Sequence, residues 1–194
     1  IASQVSFLAG QFPSRFVEEL NSANGPPSDM SEFQWSISSG SEGLVFNLSA
    51  QSGELSLVGE TASLEGFQFD LSGVSGLSIN MGDGVVRFEG ASNFSSDVRV
   101  AAGLVTISGP LSAKNIDLHT NSLLIDFVDA ATPHLAASQH ISLEVGSGVG
   151  SSGEPVRIRS ASIDVKSATG GIYLQSQGGL EVTGARSNGG NIEV

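Results

Sequence analysis

The sequence predicts an all-β fold, a parallel β-solenoid (β-helix) of roughly eight coils with a short N-terminal helical cap. Three observations predict it. Short apolar alternations recur from residue 36 onward, glycine and small polar residues separate them, and the pattern repeats with a coarse period near 20 residues. A repeat of that length, built from short strands, is typical of solenoids whose coils stack on one another.

The predicted strands are pairs or triplets of apolar residues separated by single residues, which places their side chains on one face of a strand. The glycine, serine, asparagine and aspartate residues between them favour tight turns. The alternations are Leu44/Phe46/Leu48, Leu55/Leu57, Phe67/Phe69/Leu71, Leu77/Ile79, Val86/Phe88, Val98/Val100, Val105/Ile107, Ile116/Leu118, Leu123/Ile125, Ile141/Leu143/Val145, Val156/Ile158, Ile163/Val165, Ile172/Leu174, Leu180/Val182 and Ile192/Val194.

Spacing favours a solenoid over a β-sandwich, which stays the alternative. The glycine pairs at 170–171 and 189–190 lie 19 residues apart, and Leu55, Leu77 and Val98 follow one another at 22 and 21 residues. Sandwich strands are usually five or six residues long, whereas many strands here offer only two inward positions. We expect the glycines to lie at the corners of coils, where their conformational freedom permits sharp bends.

Residues 1–35 differ from residues 36–194, and we treat them as a separate N-terminal cap or linker. A helix is expected to begin near Pro13, since proline is tolerated in the first helical turn. The sequence leaves open whether this helix covers the end of the solenoid or belongs to a linker. Four apolar residues spaced by four form the helical stripe: Leu8, Phe12, Phe16 and Leu20.

The amino-acid composition excludes some classes of binding partner. The formal net charge is −12, with 20 acidic and 8 basic residues. Nucleic acids and anionic membranes require clustered Lys and Arg, so we expect neither as a partner, and we expect no membrane insertion. The chain has no cysteine, which excludes disulfides and thiol chemistry. Because it begins at Ile1 and ends on a strand at Val194, we expect a segment of a larger protein.

The histidines and the acidic residues near them are weak candidates for chemistry. His119, His134 and His140 show no metal-binding spacing. Asp126, Asp129 and His134 could approach one another as a metal or acid–base cluster, but a protruding loop that contains Pro133 is the favoured explanation. The stretch from Asp129 to Gln139 is also the one place after residue 35 where a helix is conceivable.

Other motifs have structural explanations. Gly82-Asp83-Gly84 occurs once, whereas the calcium-binding repeat requires tandem copies, so we expect a tight turn. The glycines of 146–153 precede no lysine or helix, unlike a phosphate-binding loop. We therefore predict no catalytic, cofactor-binding or metal-binding residue and no enzymatic activity. The remaining surface features are one local basic group, Arg157, Arg159 and Lys166, and two isolated aromatic residues, Trp35 and Tyr173.

The stretch from Gly148 to Gly184 resembles the repeat units of filamentous-haemagglutinin-like bacterial surface adhesins. The resemblance implies a right-handed parallel β-helix on a long extracellular fibre or stalk. The Phe-rich N-terminal third departs from the pattern, because it lacks the paired glycines. The matching residues are Gly148, Gly150, Pro155, Val156 and Arg157, then Gly170 to Leu174, then Gly179 to Val182.

We therefore expect a structural or adhesive segment of a large secreted or surface-exposed bacterial protein. Its expected partners are flanking coils of a larger chain or neighbouring subunits, and glycans on host or environmental surfaces. Two alternatives remain open: a carbohydrate-active β-helix enzyme, either a polysaccharide lyase or a hydrolase, and a subunit of a self-assembling filament that extends by β-augmentation.

Overall fold

The computed structural model describes residues 33–40, 43–65, 67–127, 129 and 131–194. Within these residues every regular element is a β-strand and none is a helix, so the all-β prediction is confirmed. The predicted helix near Pro13 lies outside the described residues. The strands are Phe33–Gly40 (β1), Gly43–Ala50 (β2), Glu54–Val58 (β3), Thr61–Leu64 (β4), Phe67–Asp70 (β5), Val74–Asn80 (β6), Val85–Phe88 (β7), Ser92–Asn93 (β8), Val98–Ile107 (β9), Leu111–Ile125 (β10), Leu135–Val145 (β11), Val156–Arg159 (β12), Ser162–Ser167 (β13), Ile172–Ser176 (β14), Glu181–Ser187 (β15) and Ile192–Glu193 (β16).

Seven strands form one parallel ladder, which we call face 1. It runs β2–β6–β9–β10–β11–β13–β15. Apolar register partners mark five successive turns at intervals of 21, 18, 25, 22 and 19 residues. The predicted count of roughly eight coils is therefore not confirmed. These partners are Leu77, Val98, Ile116, Ile141, Ile163 and Val182.

Two further faces contain most of the remaining parallel pairs. Face 2 contains β3, β7 and the second halves of β9 and β10. Face 3 contains β8, the first residues of β10 and β11, then β12 and β14. The 15-residue strand β10 bends around two corners and contributes to all three faces. This parallel, three-sided arrangement is a β-solenoid, whereas a sandwich is built from two packed antiparallel sheets.

The Phe-rich N-terminal part adds antiparallel pairs to the parallel ladders, and these pairs lengthen its turn of the solenoid. Strand β1 pairs antiparallel with β2, and β3, β4 and β5 form an antiparallel meander. This meander lengthens the step between the register partners Phe46 and Leu77 to 31 residues. Leu55 consequently pairs with Val86 instead of preceding Leu77 on one face. The predicted step from Leu55 to Leu77 is therefore wrong, and the step from Leu77 to Val98 is confirmed.

The core consists of the inward residues of all three faces, as the apolar alternation predicts. Most of the alternating residues from Phe46 to Leu174 are buried in one continuous cluster. The stretch from Asp129 to Gln139 contains no helix among its described residues, because β11 begins at Leu135 and pairs in parallel with β10. No helix in the described part of the chain is long and apolar enough to cross a membrane.

The last strands leave part of the interior exposed. Val182 and Ile192 are each 43% exposed and Val194 is 55% exposed, although the alternation predicts that they lie inside. Among the described residues, β15 pairs only with β13 and β16 only with β14. In the part of the chain that the structure describes, no strand covers their inward side chains from the other side.

Several glycines lie where the backbones of adjacent coils come close together. The glycine pair 189–190 lies against the pair 170–171 of the preceding coil: a Cβ on Gly190 would lie 2.5 Å from the backbone nitrogen of Gly171. The predicted spacing of 19 residues is thus a stacking of glycine on glycine. Gly109 is similarly placed, because a Cβ there would lie 2.3 Å from the carbonyl carbon and oxygen of Gly90.

We predict that Gly109→Ala lowers the free energy of unfolding by about 1–3 kcal/mol, the usual cost of overpacking. The clashing atoms belong to the backbone of the neighbouring coil, so the clash is relieved only if the coils separate. Chemical denaturation monitored by circular dichroism measures the change. Gly153→Ala is the matched control, because a Cβ at Gly153 meets no atom within 4 Å. Equal stability of the two variants would contradict the close stacking at Gly109.

Candidate functional site

The outer surface of face 1 carries polar residues in register. Because side chains alternate between the two faces of a strand, each outward position forms a row that runs along the stack. One row consists of Ser78, Arg99, Asp117, Ser142 and Asp164. The adjacent row consists of Ser49, Asn80, Ala101, His119, Glu144, Lys166 and Arg186.

Charged groups in and beside these rows pair within a strand end and across neighbouring strands. The Asp97 carboxylate accepts hydrogen bonds from Arg99 Nη2 at 2.5 Å and from Asn115 Nδ2 at 2.8 Å. His119 Nδ1 lies 3.5 Å from Glu144 Oε2. Both His119 and Glu144 are more than half exposed, so this pair contributes little to stability. Its side chains are instead accessible to a ligand.

A shallow concavity of about 230 Å³ lies within these rows. Ala101 has the smallest side chain of its row and lies between Asn80 and His119, which leaves the space open. Arg99 and Asn80 supply hydrogen-bond donors at its edge, and Asp117 supplies a carboxylate acceptor. The arrangement suits a ligand rich in hydroxyl groups. The lining residues are Ser78, Ile79, Asn80, Arg99, Val100, Ala101, Asp117 and His119.

Of the polar residues that line this concavity, His119 was a candidate from the sequence and the others were missed. Their juxtaposition depends on strand pairing: Asn80, Ala101 and His119 are 21 and 18 residues apart in the chain. The signal in the sequence that could have identified them is the occurrence of polar residues at every second position of a predicted strand. That signal assigns a residue to the outer surface but does not identify its neighbours on adjacent coils.

Arg157, on β12, holds the loop between β10 and β11 against the body of the solenoid. Its guanidinium donates to three backbone carbonyls of that loop: Asp129 O at 2.7 Å, Thr132 O at 3.3 Å and Phe127 O at 3.4 Å. The Asp129 carboxylate accepts from Thr132 Oγ1 at 2.7 Å and from Ala131 N at 3.0 Å. These two bonds hold the pKa of Asp129 below its ordinary value. The loop is thus docked on the coil.

His134 is buried at the base of the same loop with both ring nitrogens engaged. Its Nε2 lies 3.2 Å from Phe127 O, and its Nδ1 accepts from the Arg157 backbone N–H at 3.1 Å. These partners require the neutral tautomer with the proton on Nε2. Burial, followed by the positive charge of Arg157, lowers the pKa of His134 from 6.5 to about 4.

The structure therefore gives the Asp129–His134 pair a structural role. Both residues bond to Arg157, and neither ring nitrogen of His134 is available to bind a metal or to transfer a proton. The Asp126 backbone N–H donates to Ile107 O on the neighbouring strand. Among the described residues, no three His, Asp or Glu side chains are grouped so that they could hold a metal ion.

The remaining motifs have local structural roles. Gly82-Asp83-Gly84 forms the expected tight turn: Gly84 N donates to Met81 O at 2.7 Å, and Asn80 Oδ1 accepts from Gly82 N. His140 Nδ1 lies 2.8 Å from Ser162 Oγ.

The basic group and Tyr173 do not form the exposed surface patches that their positions in the sequence suggest. The basic group is divided between faces, since Arg157 and Arg159 belong to β12 on face 3 and Lys166 to β13 on face 1. Tyr173 is half-buried, and its ring lies over Gly171, where a Cβ would approach it to 2.5 Å.

We predict that His134 makes the protein less stable as pH falls from about 6.5 to about 4. Its pKa is lower in the folded state, so in this window protons bind preferentially to the unfolded chain and shift the equilibrium toward it. Urea denaturation at several pH values measures the effect. His134→Gln should flatten this part of the profile, and the exposed-site control His119→Gln should retain it. An unchanged profile in His134→Gln would contradict the prediction.

Comparisons of the chain with protein-family models, with curated proteins and with solved structures found no match.

Proposed function

We propose that this chain is a rigid structural segment of a large extracellular bacterial protein, and that it acts as a rod for display or attachment. The observation that carries the proposal is the seven-strand parallel ladder of face 1 with its continuous apolar interior. Such a stack is stabilised between nearest neighbours along its whole length. It therefore holds its two ends at a fixed distance from each other, with no flexible joint between them.

Side-chain hydroxyls at the corners add bonds between coils. Ser167 Oγ lies 2.7 Å from Ser147 O of the preceding coil and 2.7 Å from Thr169 O of its own. Ser187 Oγ repeats the arrangement one coil later, 2.7 Å from Gly170 O. One hydroxyl hydrogen is shared between the acceptors, and each corner is tied to the coil before it. These ties oppose rotation of one coil relative to the next, which supports the rod.

The proposed setting has a separate basis. The glycine and apolar pattern from Gly148 to Gly184 resembles that of filamentous-haemagglutinin-like adhesins, which is the reason for proposing a secreted or surface location. The acidic composition, with a net charge of −12, favours solubility at that surface. The proposed partners are flanking coils, neighbouring subunits and surface glycans.

Spin-label distances test the rod. The chain has no cysteine, so labels on introduced cysteines are unambiguous. Ser49 and Arg186 occupy one outward row and are separated by six strand spacings, or about 29 Å at about 4.8 Å each. We predict that Ser49→Cys/Arg186→Cys gives a narrow distance distribution. Asn80→Cys/Lys166→Cys spans four spacings, and its mean should be shorter by about 10 Å. Broad distributions in correctly folded variants would contradict a rigid rod.

A carbohydrate-active enzyme is the second candidate, and the concavity on face 1 favours it. The Asp117 carboxylate lines the concavity beside His119, and Glu144 lies 3.5 Å from His119 on the next coil. Carboxylates and a histidine on adjacent coils are the side-chain types that acid–base chemistry on sugars uses.

A screen of acidic and neutral polysaccharides for new reducing ends or unsaturated products distinguishes the two functions. Turnover that Asp117→Asn abolishes and Asp164→Asn retains would overturn the structural proposal. Asp164 is the matched control, because it belongs to the same outward row two strands farther along the stack.

A filament subunit is the third candidate, and the exposed inward side chains of β15 and β16 favour it. An unpaired strand edge can add a strand from another chain. A strictly monomeric species at high concentration, by size-exclusion chromatography and negative-stain microscopy, would overturn this candidate.

A further inference from the structure

Strand β10 loses one of its two neighbouring strands before it ends. The stretch from Leu111 to Thr120 pairs with β11, whereas residues 122–125 pair with β9 alone among the described residues. The last backbone hydrogen bond from the next coil to β10 is the one that Ser147 N donates to Asn121 O, at 2.9 Å. In the described part of the chain, residues 122–125 therefore have no strand on the side away from β9. We call this side of residues 122–125 the open edge.

The open edge presents backbone hydrogen-bonding groups. Successive residues of a parallel strand direct their N–H and C=O groups to alternate sides. Asp126 N donates to Ile107 O of β9 at 2.9 Å, and Asn121 O faces the opposite way, toward the next coil. Even-numbered residues of this stretch therefore bond to β9. Leu123 and Ile125 direct their N–H and C=O groups to the open edge, where no described strand pairs with them.

The side chains beside the open edge are apolar on both faces of the strand. Leu123 and Ile125 point inward and are partly buried against the core, and Leu124 points outward and is 52% exposed. Natural sheets protect their edges with charged residues, lysine above all, or with proline, and residues 122–125 include neither. Free backbone groups beside apolar side chains form the kind of edge to which an extended peptide adds as a further strand.

Charge distinguishes between the possible occupants of the open edge. Asp126 is exposed where the edge ends, and the whole chain carries a net charge of −12. A second copy of the chain would bring the same negative charge, which opposes association, whereas a cationic peptide is attracted. A lysine on an added strand can lay its methylene groups over Leu124 and direct its ammonium group toward Asp126.

We propose that the open edge binds an extended cationic peptide by strand addition. The peptide becomes the next strand of face 2, with apolar residues beside Leu123 and Ile125 and with lysine or arginine side chains outward. The next coil closes one end of the edge at Asn121, and β10 ends at the other. The edge therefore accommodates about four residues, or about 13 Å of extended chain. The inference goes beyond the rod function, because it assigns a partner to the side of the rod.

Fluorescence anisotropy with a labelled hexapeptide of alternating lysine and valine tests the binding. We expect Leu124→Lys to weaken binding about tenfold or more, because the new charge repels the peptide and removes the apolar contact. Val58→Lys is the matched control. Val58 is also exposed on face 2, at 55%, but its strand β3 is paired on both sides, by β4 and β7. Circular dichroism checks that both variants keep their β-structure.

Amide hydrogen exchange of the unmodified chain, measured by NMR, locates the binding without depending on how a variant folds. The peptide should slow exchange at Leu123 and Ile125, whose N–H groups face the open edge. Exchange at Leu124 and Asp126 should stay as it is, because these amides already bond to β9. The same peptide with its alternate amides N-methylated should have no effect, since it lacks the donors that a strand requires.

Three results would overturn the proposal. The first is unchanged exchange at Leu123 and Ile125 with millimolar peptide. The second is equal binding of the lysine peptide by Leu124→Lys and the wild type, or equal binding of a glutamate–valine peptide by the wild type. The third is exchange at these amides that slows with protein concentration alone, because that would assign the open edge to a second copy.

Discussion

The stacking of one coil on the next is the interaction on which the rest of the structure depends. Parallel strands about 4.8 Å apart pair their backbones and bring like side chains into contact. A single coil exposes its apolar face on both sides, so the interior forms only when coils cover one another. The contacts from Leu77 through Val98 to Ile116 repeat this arrangement from turn to turn. Gly109 and Gly190 are glycines as a consequence of this stacking, because a Cβ at either position would clash with the backbone of the neighbouring coil.

The outer surface is under much weaker constraint, and the candidate sites lie there. An outward side chain touches solvent and the same row on adjacent coils, so its identity can change without disturbing the interior. Ala101 creates the concavity because it is small, and Asp117 and His119 border it from the next strand. Insertions are tolerated at corners for the same reason. The loop between β10 and β11 is one such insertion, and Arg157 docks it through backbone carbonyls.

The sequence predicts what depends on local alternation and misses what depends on the length of an insertion. The strand positions were predictable because inward residues alternate with outward ones, as at Ile163 and Val165. The pairing of Leu55 with Val86 was not, because the β4–β5 hairpin interrupts the period and has its own apolar alternation. Strand β1 falls at the boundary of the region interpreted as a cap, where its alternation of Trp35 and Ile37 is brief.

Residues that act through tertiary contacts were the least predictable. His134 is isolated in sequence from Arg157, 23 residues away, whose backbone N–H fixes its tautomer. The concavity likewise combines residues of three coils. In both cases the polar and ionisable residues can be recognised in the sequence. Their partners depend on the register between adjacent coils, which the sequence does not show. Knowledge of the register therefore determines how far function can be inferred for this chain.

Disulfide trapping of register partners tests the stacking most directly. His119 and Glu144 are outward register partners on β10 and β11, and Ser142 is the partner of Asp117 in the next row. In His119→Cys/Glu144→Cys, adjacent parallel strands place the two Cα atoms about 5 Å apart, within disulfide range. In His119→Cys/Ser142→Cys the diagonal separation is roughly 8 Å, beyond that range. The account predicts rapid oxidation of the first pair alone. Preferential oxidation of the second pair, or of neither pair in folded protein, would contradict it.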